Sequence, residues 1–240
     1  MNKLNYNGIE FNVSDTGFSN WWFTQCGPTC FSAEPLVVEK IFAYRNPKRM
    51  FISAGGGFGV PLEMWASKMY EKVFALEPDP SGFSEFKKNM EANNTTNVQI
   101  DNVALFNDSV KILTLHLDHN KYYGGSGIFH DNNKAGSVEV PCVSLRKYFT
   151  DNNITKNAFL NLDLEGAEYA VFDDTEFFEI YRPFIMIEIH WQYMTPSHIE
   201  NFNSSLNKIK HIYPTIDTSL YTHKSQTFAR HDFFEPISFQ

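Results

Sequence analysis

Short, mostly apolar runs recur along the chain and are separated by segments in which apolar residues have helical spacing. Residues 50–52, 72–76, 158–162 and 184–189 form runs of strand length, and residues 83–93 show the spacing of an amphipathic helix. Continuous apolar strands that alternate with helices are typical of a parallel sheet with both faces covered. The pattern therefore predicts an α/β fold with a ligand site at the carboxyl ends of the strands, near the point where strand order reverses.

The other segments follow weaker patterns, which complete the predicted order of elements. Residues 1–33 are predicted to be irregular or to form short strands. Further helices are predicted over residues 34–44, 62–70, 144–151, the stretch leading to 178, and 196–210, and further strands over 98–103, 110–117, 138–143 and two segments near the C terminus. No repeat or linker-like stretch interrupts the chain. We therefore predict a single domain over residues 1–240, with an N-terminal extension (1–33) and a core (34–240).

Composition and charge limit the classes of function. Hydrophobic residues make up 42% of the 240 residues, which is enough for a sizeable core. The net charge is −8 and no run of Lys and Arg exceeds two residues, so a nucleic-acid partner is not expected. Three cysteines are too few for a disulfide scaffold, and neither a signal peptide nor a membrane-spanning apolar run is evident. We therefore expect a cytoplasmic protein with no membrane span.

A glycine-rich loop follows the first predicted core strand. Four glycines occur in the five residues from Gly55 to Gly59, after Ser53, and a predicted helix follows. Glycines let a ligand approach the backbone, and the N-terminus of the next helix offers free N–H groups. The loop predicts a nucleotide-like cofactor, and a plain tight turn is the alternative. A dinucleotide fingerprint requires a small third residue where Leu62 stands, which disfavours NAD.

Polar residues also end the next two strands. Glu77 ends the second core strand, about eighteen residues after Gly59. An acidic side chain at this distance from a glycine loop is suited to accept hydrogen bonds from ribose hydroxyls. After the third strand, Asn102 is followed by Val103, which suits the edge and face of an adenine, although a simple loop explains the pair equally well.

A run rich in carboxylates follows the fourth strand and carries a family resemblance. Residues 159–168 read FLNLDLEGAE and resemble the signature of FkbM-type S-adenosylmethionine (SAM)-dependent methyltransferases. Residues 73–80 are similar to the strand of that family that ends in Glu-Pro-x-Pro, and residues 138–149 resemble the segment before the signature. Residues 185–190 resemble the following strand, which ends in Glu-x-His. The resemblance covers about residues 35–191, with the motifs in the family's order.

The resemblance implies a fold, a cofactor and a set of binding residues. The implied fold is a Rossmann-like class I methyltransferase, with a seven-stranded, mostly parallel, doubly wound sheet that has one antiparallel edge strand. SAM is the implied cofactor. Members of the family are often O-methyltransferases that act on sugars or other hydroxylated compounds. The implied contacts to SAM come from the glycine loop (Gly55, Gly57, Gly59) for methionine, Glu77 for ribose, Asn102 and Val103 for adenine, and Ser53 and Asp163 beside them.

One position departs from the family pattern. The family usually has an aspartate where this chain has Ser53. That aspartate orders the glycine loop and approaches the amino group of the cofactor. Because serine has no charge, the sequence predicts that another carboxylate compensates, that SAM binds more weakly, or that the domain is degenerate.

The candidate catalytic residues lie after the fourth and fifth strands. Methyl transfer requires an aligned nucleophile and a base for the acceptor hydroxyl. Asp163 is our first candidate for that base, and His190 is the alternative because neutral imidazole exists near pH 7. Glu165 and Glu188 are assigned to orienting these groups or the acceptor. Our leading assignment contains no metal, and a divalent ion held by Asp163, Glu165 and His190 is the alternative.

The motifs together with this resemblance predict a SAM-dependent O-methyltransferase that acts on a hydroxyl, in a sugar of a glycan or glycoconjugate. An NAD-dependent oxidoreductase is the second hypothesis, and a degenerate binding module, supported by Ser53, is the third. The loop over residues 122–127, rich in glycine and tyrosine, is assigned either to acceptor contact or to a mobile connection.

Overall fold

A computed structural model describes residues 1–6, 9–15, 17–26, 40–60, 62–118, 126–128, 134–217 and 230–237. The strands in this part of the chain are β1 (Asn2–Tyr6), β2 (Ile9–Val13), β3 (Met50–Ala54), β4 (Lys72–Leu76), β5 (Val98–Asp101), β6 (Ala104–Leu105), β7 (Ile112–Asp118), β8 (Lys134–Val143), β9 (Phe159–Asp163), β10 (Phe184–Ile189), β11 (Ile216–Asp217) and β12 (Arg230–Phe234). The helices are α1 (Gly17–Cys26), α2 (Leu62–Ala66), α3 (Pro80–Ala92), α4 (Leu145–Asp151), α5 (Glu168–Val171), α6 (Thr175–Tyr181) and α7 (Pro196–Ile209), with a 3₁₀ turn at Trp191–Tyr193.

The central sheet confirms the predicted fold class. Its seven strands have the order β11-β12-β10-β9-β3-β4-β5. Neighbouring strands from β10 to β5 run parallel, and β12 is antiparallel to both β10 and β11. The antiparallel strand β12 lies one position in from the edge, because the two-residue strand β11 pairs along its outer side.

The strand order reverses between β3 and β9. From β3 the chain winds outward through β4 to β5, and it returns to β9 and winds the other way to β10. At this point the glycine loop presses against the end of β9. A Cβ at Gly55 would lie 1.8 Å from the backbone oxygen of Asp163, and the φ of Gly55 is +85°. A glycine is therefore required where the two halves of the sheet meet.

Apolar residues on alternate positions of the strands build one core on each face of the sheet. Ile52, Phe74 and Leu160 pack with helices α4 to α7 on one face. Phe51 and Val73 pack on the other face with α2, α3 and strands β1 and β2. Covering both faces explains why these strands are continuously apolar in the sequence.

A second, three-stranded sheet stands beside the central one, with the order β6-β8-β7. Strands β7 and β8, which are predicted separately from the sequence, pair with each other in antiparallel fashion. Their alternation of buried and exposed residues suits a sheet with one solvated face.

Element boundaries differ from prediction at sites of local hydrogen bonding. Helix α2 ends at Ala66 rather than residue 70, and the helical stretch before residue 178 is split into α5 and α6. The split occurs where the side chain of Asp174 accepts from the N–H of Phe177 and begins a new helix. Ser144 caps α4 as predicted, accepting from the N–H of Lys147.

The N-terminal segment is more regular than predicted. Strands β1 and β2 pair with each other in antiparallel fashion, which agrees with the predicted short strands, and residues 17–26 form α1, which the sequence did not predict. Helix α1 has no acidic residue in its first turn and no basic residue in its last, so the charges that usually mark the ends of a helix are missing. Of the predicted helix over residues 34–44, residues 34–39 lie outside the described residues. No helix in the described part of the chain is long and apolar enough to cross a membrane.

Candidate active site

A cavity of about 280 Å³ opens at the carboxyl ends of β3, β4, β9 and β10, where the strand order reverses. The glycine loop and the start of α2 form one side of this cavity, and the carboxylate-rich turn after β9 forms another. The second sheet supplies an apolar wall made of Ala104, Leu105, Leu113 and Leu115. The sequence predicts the site at this edge of the sheet, and the cavity lies there.

The glycine loop is held by backbone hydrogen bonds. The N–H groups of Gly55 and Gly56 donate to the carbonyl oxygen of Leu76, at 3.0 and 3.2 Å. Gly55 and Gly57 line the cavity, and a Cβ at Gly57 would meet no atom within 4 Å. Gly59 does not line the cavity, and its Cα faces the ring of Phe86, which a Cβ would approach to 2.1 Å. The loop is therefore shaped for close approach of a ligand at Gly57 and for internal packing at Gly59.

Glu77 joins the glycine loop to the following strand. Its Oε2 accepts from the N–H of Gly57 at 2.6 Å, and its Oε1 accepts from the N–H of Asp79 at 2.8 Å. The residue is 5% exposed, and burial raises its pKa to about 8. Because each carboxylate oxygen has two lone pairs, Glu77 retains acceptor capacity toward the cavity.

The predicted adenine-binding residues lie beside Glu77. The side-chain amide of Asn102 donates to the carbonyl oxygens of Glu77 and Pro78, at 2.8 and 3.0 Å. Val103 packs against the core, and the residues after it, Ala104 and Leu105, line the cavity. The roles of Asn102 and Val103 toward adenine stay predictions, and the apolar wall is a surface that the sequence analysis missed.

Ser53 is completely buried and contacts an acidic residue that the sequence analysis did not single out. Its hydroxyl donates to Oε1 of Glu63 at 2.6 Å. Glu63 belongs to α2, is 4% exposed and lines the cavity. Burial raises the pKa of Glu63 to about 7. The sequence signal for Glu63 was that it is the single carboxylate among the apolar residues of α2. Its contact with Ser53 is evident only from the fold.

Three carboxylates surround one imidazole nitrogen at the ends of β9 and β10. The Nε2 atom of His190 lies 3.8 Å from Oδ1 of Asp163, 3.7 Å from Oε2 of Glu165 and 3.5 Å from Oε1 of Glu188. Asp163 and Glu188 are register partners on the parallel strands β9 and β10. Glu165 has a φ of +49°, an uncommon conformation for a residue other than glycine, which occurs often at functional sites. The fold thus brings together all the candidate catalytic residues that the sequence predicts.

The other imidazole nitrogen is fixed by a buried glutamate. Nδ1 of His190 lies 2.9 Å from Oε1 of Glu168, which also accepts from the N–H of Gly166. Burial acts to lower the pKa of His190, but the hydrogen bond to Glu168 and the charges of Asp163 and Glu165 outweigh it and raise the pKa to about 10. A histidine with this pKa is a cation at neutral pH, whereas the sequence analysis treats it as a neutral base. In the structure, Glu168 therefore positions His190.

The set of residues that the sequence offers as an alternative metal site is also assembled. Asp163, Glu165 and His190 each offer one ligand atom, and these three atoms lie within 4.8 Å of one another. A proton on Nε2 removes the lone pair that a metal would need, so a proton and a metal exclude each other at this atom.

The ionisable side chains that line the cavity can carry only negative charge. Its titratable lining residues among those described are all acidic: Glu63, Glu77, Asp163, Glu165 and Glu188. No lysine, arginine or histidine is among the described lining residues. Such a lining attracts a cationic ligand and repels an anionic one.

The described end of the loop over residues 122–127 contacts the cofactor side of the cavity. The hydroxyl of Ser126 donates to Oδ2 of Asp79 at 2.8 Å, and Oδ1 of Asp79 caps α3. Ser126 and Gly127 line the cavity. The rest of this predicted acceptor loop, residues 122–125, lies outside the described residues.

Comparison with known proteins decides the family. A family model of the methyltransferase FkbM domain matches residues 57–209. The chain belongs to the FkbM methyltransferase family. The fold is accordingly the Rossmann-like class I fold of enzymes that transfer a methyl group from SAM. No curated protein matches the sequence.

Solved structures of low sequence identity resemble the fold. An FkbM methyltransferase from Methylobacillus flagellatus KT has 14% identity and a TM-score of 0.48, with 78% of this chain covered. The alignment spans 43% of the length of that chain. A Streptococcus mutans protein assigned as a methyltransferase, in complex with S-adenosylhomocysteine (SAH), has 12% identity and a TM-score of 0.48, covering 83% of this chain and 94% of the other. An rRNA methylase from Streptococcus thermophilus has 7% identity and a TM-score of 0.46, covering 85% and 93%.

Proposed function

We propose that this FkbM-family protein transfers a methyl group from SAM to a hydroxyl group, in a sugar of a glycan or glycoconjugate. The observation that carries the proposal is the acidic cavity that joins the glycine loop to the carboxylate-rich end of β9. The choice of a sugar hydroxyl follows the resemblance to family members that methylate sugars.

The charge of the cavity favours SAM over NAD. SAM has a sulfonium and an ammonium group, and both gain from nearby carboxylates. The diphosphate of NAD would instead face Glu77 and Glu63, with no cationic side chain among the described lining residues. Leu62 lines the cavity at the position where a dinucleotide fingerprint requires a small residue. The NAD-dependent hypothesis therefore loses support from both charge and shape.

In the proposed reaction, Asp163 accepts the proton of the acceptor hydroxyl. Bound SAM supplies the electrophilic methyl group. As the acceptor oxygen bonds to the methyl carbon, the sulfur–carbon bond breaks, the hydroxyl proton passes to an Asp163 oxygen, and SAH remains. The side chain of Asp163 is 40% exposed at the end of β9, so it is accessible to an acceptor. Proximity and alignment supply the larger part of the acceleration.

His190 and the other two carboxylates hold Asp163 in place. The imidazolium of His190 is only 7% exposed and faces Asp163, Glu165 and Glu188 together, so it offsets repulsion among them. We therefore assign His190 and Glu165 to positioning and electrostatic support, and the base to Asp163. With the imidazolium supplying the positive charge, we expect transfer to persist in the presence of EDTA. Loss of transfer on chelation, restored by added Mg²⁺, would assign the cluster to a metal instead.

The proposal is tested by binding first and transfer second. Calorimetric titration should show SAH binding and no NAD binding. Transfer of a labelled methyl group from SAM should then reach hydroxyl groups in a panel of free and lipid-linked sugars. NAD binding alone would overturn the proposal, and binding of neither ligand would favour a degenerate module. Methylation of nitrogen or carbon acceptors, with all hydroxyl acceptors inert, would contradict the assignment as an O-methyltransferase.

A further inference from the structure

The charge that the family usually places at the end of the first core strand is missing from this chain. The position is Ser53, the fourth residue of β3, and its side chain is fully buried two residues before Gly55. A serine there accepts and donates hydrogen bonds but carries no charge toward a cationic ligand.

A carboxylate occupies the space in front of Ser53, contributed by a different element. Glu63 lies in α2, after the glycine loop, and its Oε1 accepts from the Ser53 hydroxyl at 2.6 Å. Its neighbours in α2 are apolar, and Met64 and Trp65 are in the core. Glu63 is the ionisable residue of this helix, and it lines the cavity together with Gly55 and Gly57. The pair of side chains therefore presents one carboxylate, fixed by a hydroxyl, at the glycine loop.

This arrangement favours a cation in the cavity beside Glu63. A carboxylate that is 4% exposed loses most of its hydration, and the hydroxyl that donates to its Oε1 is neutral. The described residues that line the cavity add four further carboxylates and no basic side chain. An ammonium group entering beside Glu63 would supply the missing counter-charge through a charge-assisted hydrogen bond.

We propose that Glu63 supplies the carboxylate that binds the amino group of the cofactor's methionine portion, with Ser53 fixing its position. Helix α2, rather than strand β3, then supplies the carboxylate at the glycine loop. The inference rests on the proposed SAM-dependent function, and it assigns to Glu63 a selectivity for the amino-acid end of the cofactor.

Two ligands separate this role from a purely structural one. SAH has the amino-acid portion, and 5′-methylthioadenosine has the same adenosine and thioether without it. In calorimetric titrations, Glu63→Gln should weaken SAH binding by about 10- to 100-fold, the usual worth of a hydrogen bond to a charged group. Binding of 5′-methylthioadenosine should change less than about twofold, because that ligand has no ammonium to lose.

Matched variants keep the test decisive. The double variant Ser53→Asp/Glu63→Gln should restore most of the SAH affinity, because it returns a carboxylate to the strand. Glu71→Gln, an exposed position outside the cavity, should leave both affinities unchanged. If Glu63→Gln does not fold, Ser53→Ala carries the test, with a smaller loss that is again confined to SAH.

The outcomes for this inference and for the proposed function are distinct. Equal loss of both ligands in Glu63→Gln, or unchanged SAH binding, would overturn the role of Glu63 while SAM remains the cofactor. Failure of the wild-type protein to bind SAH would overturn the proposed function and this inference with it.

Discussion

The two halves of the cavity retain protons for opposite reasons. In the cofactor half, which we define as residues 53–59 with Glu63 and Glu77, burial raises the pKa of Glu63 to about 7 and that of Glu77 to about 8. In the acceptor half, defined as Asp163, Glu165, Glu188 and His190, burial works against the proton on His190. There the hydrogen bond to Glu168 and the neighbouring carboxylates prevail and raise the pKa of His190 to about 10.

This difference indicates what each half requires from a ligand. The carboxylates of the cofactor half are held by neutral donors, the Ser53 hydroxyl and the N–H groups of Gly57 and Asp79. A cationic ligand would let them ionise fully. The acceptor half already contains its own cation in His190, so it suits an uncharged acceptor such as a hydroxyl.

The largest effect should come from removing the base in the acceptor half. Asp163→Asn keeps the size of the side chain and removes its ability to take a proton. We expect methyl transfer to fall by ~10²–10⁴-fold, the range for loss of a general base. Any loss of SAH affinity should be much smaller than the loss of transfer, because the contacts from the glycine loop, Glu63 and Glu77 remain.

Glu188→Gln is the matched control for Asp163→Asn, because Glu188 is the register partner of Asp163 and also faces His190. It should cost less than roughly tenfold in transfer. Equal losses in the two variants would show that the cluster acts through its total charge, and the assignment of Asp163 as base would fail.

A slightly smaller effect should come from the contact between the two halves. An added Cβ at Gly55 would overlap the backbone oxygen of Asp163 at 1.8 Å, and Gly55 directly follows β3, which pairs with β9. Gly55→Ala should lower the free energy of unfolding by on the order of 3 kcal/mol. It should also abolish SAH binding, as urea unfolding and calorimetry would show.

Gly57→Ala offers the matched comparison, since its φ of +55° is also left-handed but no atom lies within 4 Å of the added Cβ. This variant should lose only about 1 kcal/mol. If both alanine variants lost the same stability, backbone conformation rather than the contact with Asp163 would account for the glycine at position 55.

Much of the central sheet and of the cofactor half is predictable from the sequence because the signals are local. The apolar runs of β3, β4, β9 and β10 follow from burial on both faces, and Gly55 and Glu77 follow directly from the strands that they end. Spacing along the chain was sufficient, because carboxyl ends of parallel strands meet at one edge.

The features that the sequence did not predict depend on contacts between distant segments. The pairing of Ser53 with Glu63 requires α2 to pack against the end of β3, and no periodicity encodes that contact. The proton on His190 depends on Glu168, twenty-two residues earlier, and on carboxylates from two strands. A sequence lists ionisable groups, whereas their charge states follow from burial and neighbours.

The pH dependence of stability should separate the two halves. A proton that the folded state retains above its usual pKa favours folding at low pH, and the benefit disappears as the pH rises through the folded-state pKa. For Glu63 and Glu77 this window runs from about 4.5 to about 7 and 8, and for His190 from about 6.5 to about 10. The free energy of unfolding should therefore fall between pH 5 and 10, by on the order of 1 kcal/mol per pH unit for each group that titrates.

The contribution of each half to the pH dependence of stability can be suppressed separately. Saturating SAH should flatten the fall between pH 5 and 8, because a cation beside Glu63 favours its ionised form. Glu168→Gln should flatten the fall above pH 8, because it lowers the pKa of His190, and the shift of the His190 ring protons in NMR would report that pKa directly. Stability that is flat from pH 5 to 10 in the wild-type protein would contradict proton retention in both halves.

The smallest effect tests whether residues 126–128 belong to the cofactor half. The Ser126 hydroxyl donates to Asp79, whose N–H in turn donates to Glu77, so the loop is tied to the ribose side of the cavity by two hydrogen bonds. Ser126→Ala should lower the free energy of unfolding by about 1 kcal/mol and SAH affinity by roughly two- to threefold. Ser109→Ala, which removes an exposed hydroxyl bonded only within its own turn, should change neither. If Ser126→Ala instead raised the KM for the acceptor and left SAH binding untouched, the loop would belong to the acceptor half, which is one of the two alternatives that the sequence leaves open.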